Sequence, residues 1–139
     1  TEEQFAHLLD FVARARFDHL GAFVFSAEEG TPAAALSDPV PKAVARRRYR
    51  QLLRAQRPIA LASRRALVGR RLPVLVEGTC EESEHLLQGR HQGMAPEIDG
   101  RILINDGVAP AGRLALAEIT EAHPSDLVAR IVAPAAGVA

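Results

Sequence analysis

The chain has no tryptophan, one tyrosine and one cysteine, and each scarcity excludes something. A single thiol, Cys80, rules out an internal disulfide framework and any multi-cysteine metal site made by this chain alone, so a reducing, cytoplasmic setting is expected. Tyr49 is the only aromatic residue between Lys42 and Thr120, which leaves no ladder of rings there to stack single-stranded bases. No apolar run approaches the roughly 18 to 20 residues that span a bilayer, and Thr1 to Asp10 lack signal-peptide character, so no membrane partner is expected. Net charge is also absent: 17 basic side chains balance 17 acidic ones. With 47% hydrophobic residues the chain can bury a core, and its 139 residues make one domain or two small modules. It begins at Thr1 without Met, directly at a helix start, and is therefore expected to be a piece of a longer chain.

The zero balance conceals a segregation of charge. Lys42 to Arg71 holds eleven cations and no carboxylate, whereas Glu77 to Gly107 holds seven acids against Arg90 and Arg101. Two electrostatically different surfaces are thus joined in one chain.

Thr1 and Gln4 form a capping box ahead of Phe5, Leu8, Leu9 and Val12, which predicts a helix from Glu2 to Arg16. Leu20 to Ser26 is short and apolar with turn residues after it, and reads as a strand buried on both faces. Glu28 to Pro41, with Gly30, Pro32, Pro39 and Pro41, is a loop. A long helix is expected from Lys42, interrupted at Pro58, with a second piece ending at Gly69. From there the period changes to alternation. Leu72 to Gly78, Glu84 to Gly89, Arg101 to Asn105, Arg113 to Thr120 and Leu127 to Val132 are five short strand candidates, as in a small antiparallel OB-like barrel. The fold class expected is α+β. Residues 1–65 form a helix-strand-loop-helix piece that looks like the last β/α unit of a larger TIM-like barrel, and residues 66–139 form the five-stranded barrel.

In a parallel α/β barrel the loops after the strands carry the ligand face, so Ser26, Glu28, Glu29, Gly30 and Thr31 are candidates for an active-site-facing loop. The alternative is a pair of solvated glutamates. At these residues the chain resembles a known family: HLGAFVFSAEEGTPAA, from His19 to Ala34, is similar to the end of the catalytic barrel of radical-SAM methylthiotransferases, a strand followed by Tyr-Ser-Pro-x-x-Gly-Thr-x-Ala. The basic helix and Leu67-Val68-Gly69-Arg70 resemble that family's passage into its TRAM domain, a five-strand barrel. GRHQGMAPEIDG, Gly89 to Gly100, resembles Gly-Arg-His-Glu-Gly-Gln-Ala-Pro-Glu-Ile-Asp-Gly of the RimO-type branch, which modifies a small-subunit ribosomal protein. Phe25, Ala27, Gln92 and Met94 depart from these patterns.

The resemblance implies an enzyme that uses S-adenosylmethionine and 4Fe-4S clusters to place a methylthio group on the β-carbon of a ribosomal-protein aspartate. Cluster ligands are thiolates, and this chain offers only Cys80, outside any cluster motif, so the piece alone should bind no cluster and be inactive, with no catalytic residue of its own. Its expected work is closing the barrel and docking the substrate through the TRAM module, with Arg90, His91, Met94, Glu97 and Asp99 as docking candidates. Contact with rRNA or tRNA through Arg46, Arg47, Arg50 and Arg54 is a second expectation. The other readings are a tRNA methylthiotransferase and a free-standing RNA-binding module. His85 and His91 lack a third ligand, so no metal site is expected. Glu121, His123 and Asp126 read as turn and cap residues.

Overall fold

The structure is a computed structural model that describes residues 1–36 and 38–134. It divides into two units, residues 1–60 and residues from Leu61 onward. Each is built from its own local signals.

In the first unit, helix α1 spans Glu2–Ala15 behind the predicted capping box: Gln4 N–H donates to Thr1 Oγ1 at 3.2 Å, and the Thr1 ammonium donates to Gln4 Oε1 at 2.7 Å. It ends at Arg16, which takes a left-handed conformation with φ 51°. Leu20 to Ser26 does not form the predicted buried strand. The segment has no strand pairing and Phe23 is 97% exposed. The reason is physical: a strand is held by neighbours on its edges, and among the described residues of this unit no other strand supplies them.

Gly30, with φ 81°, turns the chain, and Thr31 then caps a 3-10 turn over Pro32–Ala35. The Thr31 hydroxyl donates to the Glu28 carbonyl at 2.8 Å and accepts from Ala34 N–H at 3.3 Å. Helix α2 then runs unbroken over Lys42–Arg65, with Pro58 inside it. The interruption predicted at Pro58 does not occur. Arg54 and Pro58 are both exposed, so the carbonyl that loses its N–H partner is open to water, while Leu52, Gln56 and Ala60 are buried at four-residue spacing on another face.

The second unit holds β1 (Arg71–Cys80), β2 (Ser83–His91), β3 (Ile102–Asp106), β4 (Leu114–Ala122) and β5 (Leu127–Pro134). They close into a barrel in the order β1-β2-β3-β5-β4. Four of the five pairs are antiparallel, as expected for the OB-like barrel, and one, β3 with β5, is parallel. A closed ring with an odd number of strands cannot alternate direction all the way round, so one parallel pair is unavoidable.

Alternation places Val74 and Val76 of β1, Ala115, Ala117 and Ile119 of β4, and Leu127 and Ala129 of β5 in the interior, together with Ile102 and Ile104 of β3. The small alanines make room for the larger isoleucines, as a narrow barrel requires. Gly89 of β2 lies opposite Val76, and a Cβ there would fall 2.4 Å from the Leu75 carbonyl oxygen. Only glycine permits that approach. Cys80 ends β1 and is buried.

Candidate functional site

An open cleft of about 500 Å³ lies on the barrel, lined by Glu77 and Glu81 of the first hairpin, Gln88 of β2, Pro96 to Arg101 of the β2–β3 loop in part, and Asp126 of the β4–β5 turn. Its position follows from the topology. Glu77 is the extra residue of a bulge in β1, between the pairs Val76–Gly89 and Gly78–Gln88, and bulges re-aim side chains. The β2–β3 loop is fixed from within: Met94 is buried in the barrel core, Asp99 Oδ2 accepts from Ala95 N–H at 2.8 Å, and Gly100 has φ 82°. Asp126 Oδ1 accepts from Arg101 N–H at 3.1 Å, which joins this loop to the last turn.

The charges of the cleft are unevenly matched. Arg90 Nε donates to Glu77 Oε1 at 2.7 Å, and Arg101 Nη2 donates to Glu82 Oε1 at 2.6 Å. The Glu82 hydrogen bond, before all other influences, holds the Arg101 pKa above its usual value. Glu81 and Glu97 are exposed, and among the described residues no cation pairs with either. Ile98, next to Glu97, is 81% exposed. The cleft therefore presents unpaired negative charge, a surface suited to a basic partner.

Of the residues expected to dock substrate, the structure brings Glu97 to this cleft and Arg90 to its edge through Glu77. Met94 is not on the surface, and Asp99 closes a turn. His91 Nδ1 accepts from Gly93 N–H at 3.0 Å. Glu77, Glu81, Gln88, Arg101 and Asp126 were missed as cleft residues. The acidic run from Glu77 to Glu84 was a visible signal, but the parallel β3–β5 pairing that gathers these segments is not written in any local pattern. Glu121, His123 and Asp126 act as the expected turn and cap residues: His123 Nε2 and Glu121 Oε2 are 3.1 Å apart, and His123 N–H donates to the Asp126 carbonyl at 2.8 Å.

In the first unit Glu28 to Thr31 form one tight turn, with Ser26, Glu28 and Glu29 exposed. On α2, Arg46, Arg50 and Arg54 are exposed, whereas Arg47 and Arg48 each donate to Glu2 Oε1 at 3.0 Å. Those bonds, Arg48's first, hold the Glu2 carboxyl below the usual carboxylate range. The Arg48 guanidinium also lies 5.3 Å from the Phe5 ring centroid.

Residues 68–132 match the TRAM domain. Over 133 residues, 96% of this chain, the sequence is 54% identical to a protein of Anaeromyxobacter sp. (strain K) named ribosomal protein uS12 methylthiotransferase RimO. Proteins of that name from Myxococcus xanthus (strain DK1622) and Geobacter sulfurreducens are 52% and 44% identical over 132 residues each. The chain belongs to the RimO family. It covers 95% or more of itself in these matches but only 28 to 30% of the length of the relatives.

RimO-type chemistry implies iron-sulfur clusters and S-adenosylmethionine. The donor set here does not fit a cluster: clusters need several thiolates, and the one thiol of this chain is buried at the end of β1. Among the described residues no group of three or more His, Cys, Asp or Glu side chains is placed to hold a metal ion. Nor is any helix among them long and apolar enough to cross a membrane.

Proposed function

We propose that this chain is the substrate-holding part of a cytoplasmic enzyme that methylthiolates the β-carbon of an aspartate in a small-subunit ribosomal protein. The observation that carries the reading is the 54% identity to a uS12 methylthiotransferase across nearly the whole chain, including the TRAM domain. Residues 1–65 complete the catalytic barrel, with Leu20 to Ser26 taking its edge partners from the remainder of the enzyme and the turn from Ser26 to Thr31 facing the active site. Residues 66–139 dock the ribosomal protein in the acidic cleft, where Glu81 and Glu97 attract its basic surface and Ile98 supplies an apolar contact. The arginine-rich helix α2 lies against ribosomal RNA next to the substrate. The clusters and S-adenosylmethionine belong to the rest of the enzyme, and this chain alone is inactive.

The test is a single-turnover assay of the full-length protein, with clusters reconstituted, supplied with S-adenosylmethionine, small ribosomal subunits and bulk tRNA together. Peptide mass spectrometry locating a methylthio group on an aspartate of the ribosomal protein is the expected result. Methylthio-nucleosides in the tRNA digest, with unmodified ribosomal protein, would overturn it.

A further inference from the structure

One face of α2 is a continuous cationic surface. Lys42, Arg46, Arg50, Arg54 and Arg57 are all exposed, and at 100° per residue they fall within a 120° sector of the helix. From Lys42 to Arg57 the rise of about 1.5 Å per residue makes the stripe roughly 22 Å long. Among the described residues none of the five has an ion pair or side-chain hydrogen bond, and no carboxylate occurs in sequence from Lys42 to Arg71 to neutralise them. Three other arginines of the same helix behave differently. Arg47 and Arg48 are held by Glu2, and Arg64 Nη1 donates to the Pro124 carbonyl at 2.8 Å.

We propose that this stripe docks the phosphate backbone of double-helical RNA. The proposal deepens the ribosomal-RNA contact named above and rests on that part of the reading. Three features select the ligand. Guanidinium forks match phosphate oxygens in pairs, so four arginines in a row suit a regular line of phosphates better than scattered carboxylates. The only ring on α2 itself, Tyr49, is half-buried, so the stripe offers no exposed ring to stack an unpaired base, which disfavours single strands along it. Duplex RNA is recognised by shape and backbone and needs no base-reading side chains. A stripe of about four helical turns spans several successive phosphates on one strand.

The experiment titrates the full-length protein, without clusters or substrate, against a fluorescent RNA hairpin and against an oligouridine of equal length, over a range of salt concentrations. The test variant is Arg46→Gln/Arg50→Gln/Arg54→Gln/Arg57→Gln; the control is Arg70→Gln/Arg113→Gln, which removes two exposed cations outside α2. Glutamine keeps helix propensity, so equal Tm values establish that α2 survives. The wild type and the control bind the hairpin more tightly than oligouridine. The test variant loses at least about tenfold in affinity, and its log–log salt slope flattens by roughly three to four. No hairpin binding by the wild type, equal preference for oligouridine, or an unchanged slope in the test variant overturns the proposal. An unchanged slope would mean that the stripe faces protein. Because the titration needs no turnover, its failure leaves the methylthiolation reading untouched, and failure of that reading does not alter this one.

Discussion

Asp126 Oδ1 accepts a hydrogen bond from the backbone N–H of Arg101 across 25 positions of sequence, and this contact ties the entrance of β3 to the turn before β5. Gly100 sits directly beside it: a Cβ there would lie 2.1 Å from the Ser125 carbonyl oxygen, and its φ of 82° is in the left-handed region. The wall of the acidic cleft therefore depends on the close approach of Gly100 and Arg101 to the turn at Ser125 and Asp126.

Gly100→Ala combines backbone strain with a collision against main chain. It is expected to destabilise the barrel by about 3 kcal/mol or more. Asp126→Ala loses the hydrogen bond but creates no collision, and about 1–2 kcal/mol is expected. Urea denaturation of both variants checks the order.

Met94 departs from the family pattern inside the segment expected to dock substrate, and it is 6% exposed and packed in the core. Met94→Ala is expected to cost about 2–4 kcal/mol of barrel stability, whereas Met94→Leu should cost under about 1.5 kcal/mol and leave substrate association unaltered. A slower association by the leucine variant at unchanged Tm would restore Met94 to the binding surface.

Glu118 lies between Arg71 Nε at 3.2 Å and Arg130 Nη2 at 2.9 Å, and Arg71 first, then Arg130, lowers its pKa from the usual 4.5. A carboxyl with a depressed folded-state pKa adds stability above its unfolded pKa and loses it as the pH falls through the folded value. Thermal melts from pH 7 downward should thus show wild type and Glu118→Gln converging as the solution becomes more acidic than the ordinary glutamate range. A gap that stays constant with pH would show that the two ion pairs contribute nothing to folding.

Glu81 and Glu97 are the exposed, unpaired carboxylates of the cleft, and neither holds the fold together. Glu81→Lys/Glu97→Lys is expected to lower the association rate with the basic ribosomal protein about tenfold at low salt, with little change in dissociation and none in Tm. Stopped-flow association at two salt concentrations measures this. Equal rates at low salt would remove the cleft from the docking surface.

The sequence revealed those parts of the fold that local chemistry determines. The Thr1–Gln4 capping box, the change from helical to alternating period after Gly69, and all five strands to within a few residues were readable because each depends on near neighbours. Leu20 to Ser26 has the composition of a buried strand but is unpaired, because pairing depends on partners that are absent among the described residues of its unit. The helix runs through Pro58 because the carbonyl it leaves unpaired meets water, and which face meets water is set by packing and not by helix propensity. The cleft was legible only in its charge. Glu77, Glu97 and Asp126 lie far apart in sequence, and what gathers them is closure of the ring.

That closure also sets a timetable. Hairpins between β1 and β2 or β4 and β5 can form from neighbouring residues, but the parallel β3–β5 seam has to wait for the chain to pass through all of β4. Contacts of that separation are the slow ones in folding. During synthesis the ring cannot close until β5 has emerged, so a product truncated before β5 would leave the barrel's valines and isoleucines unsealed and open to proteolysis.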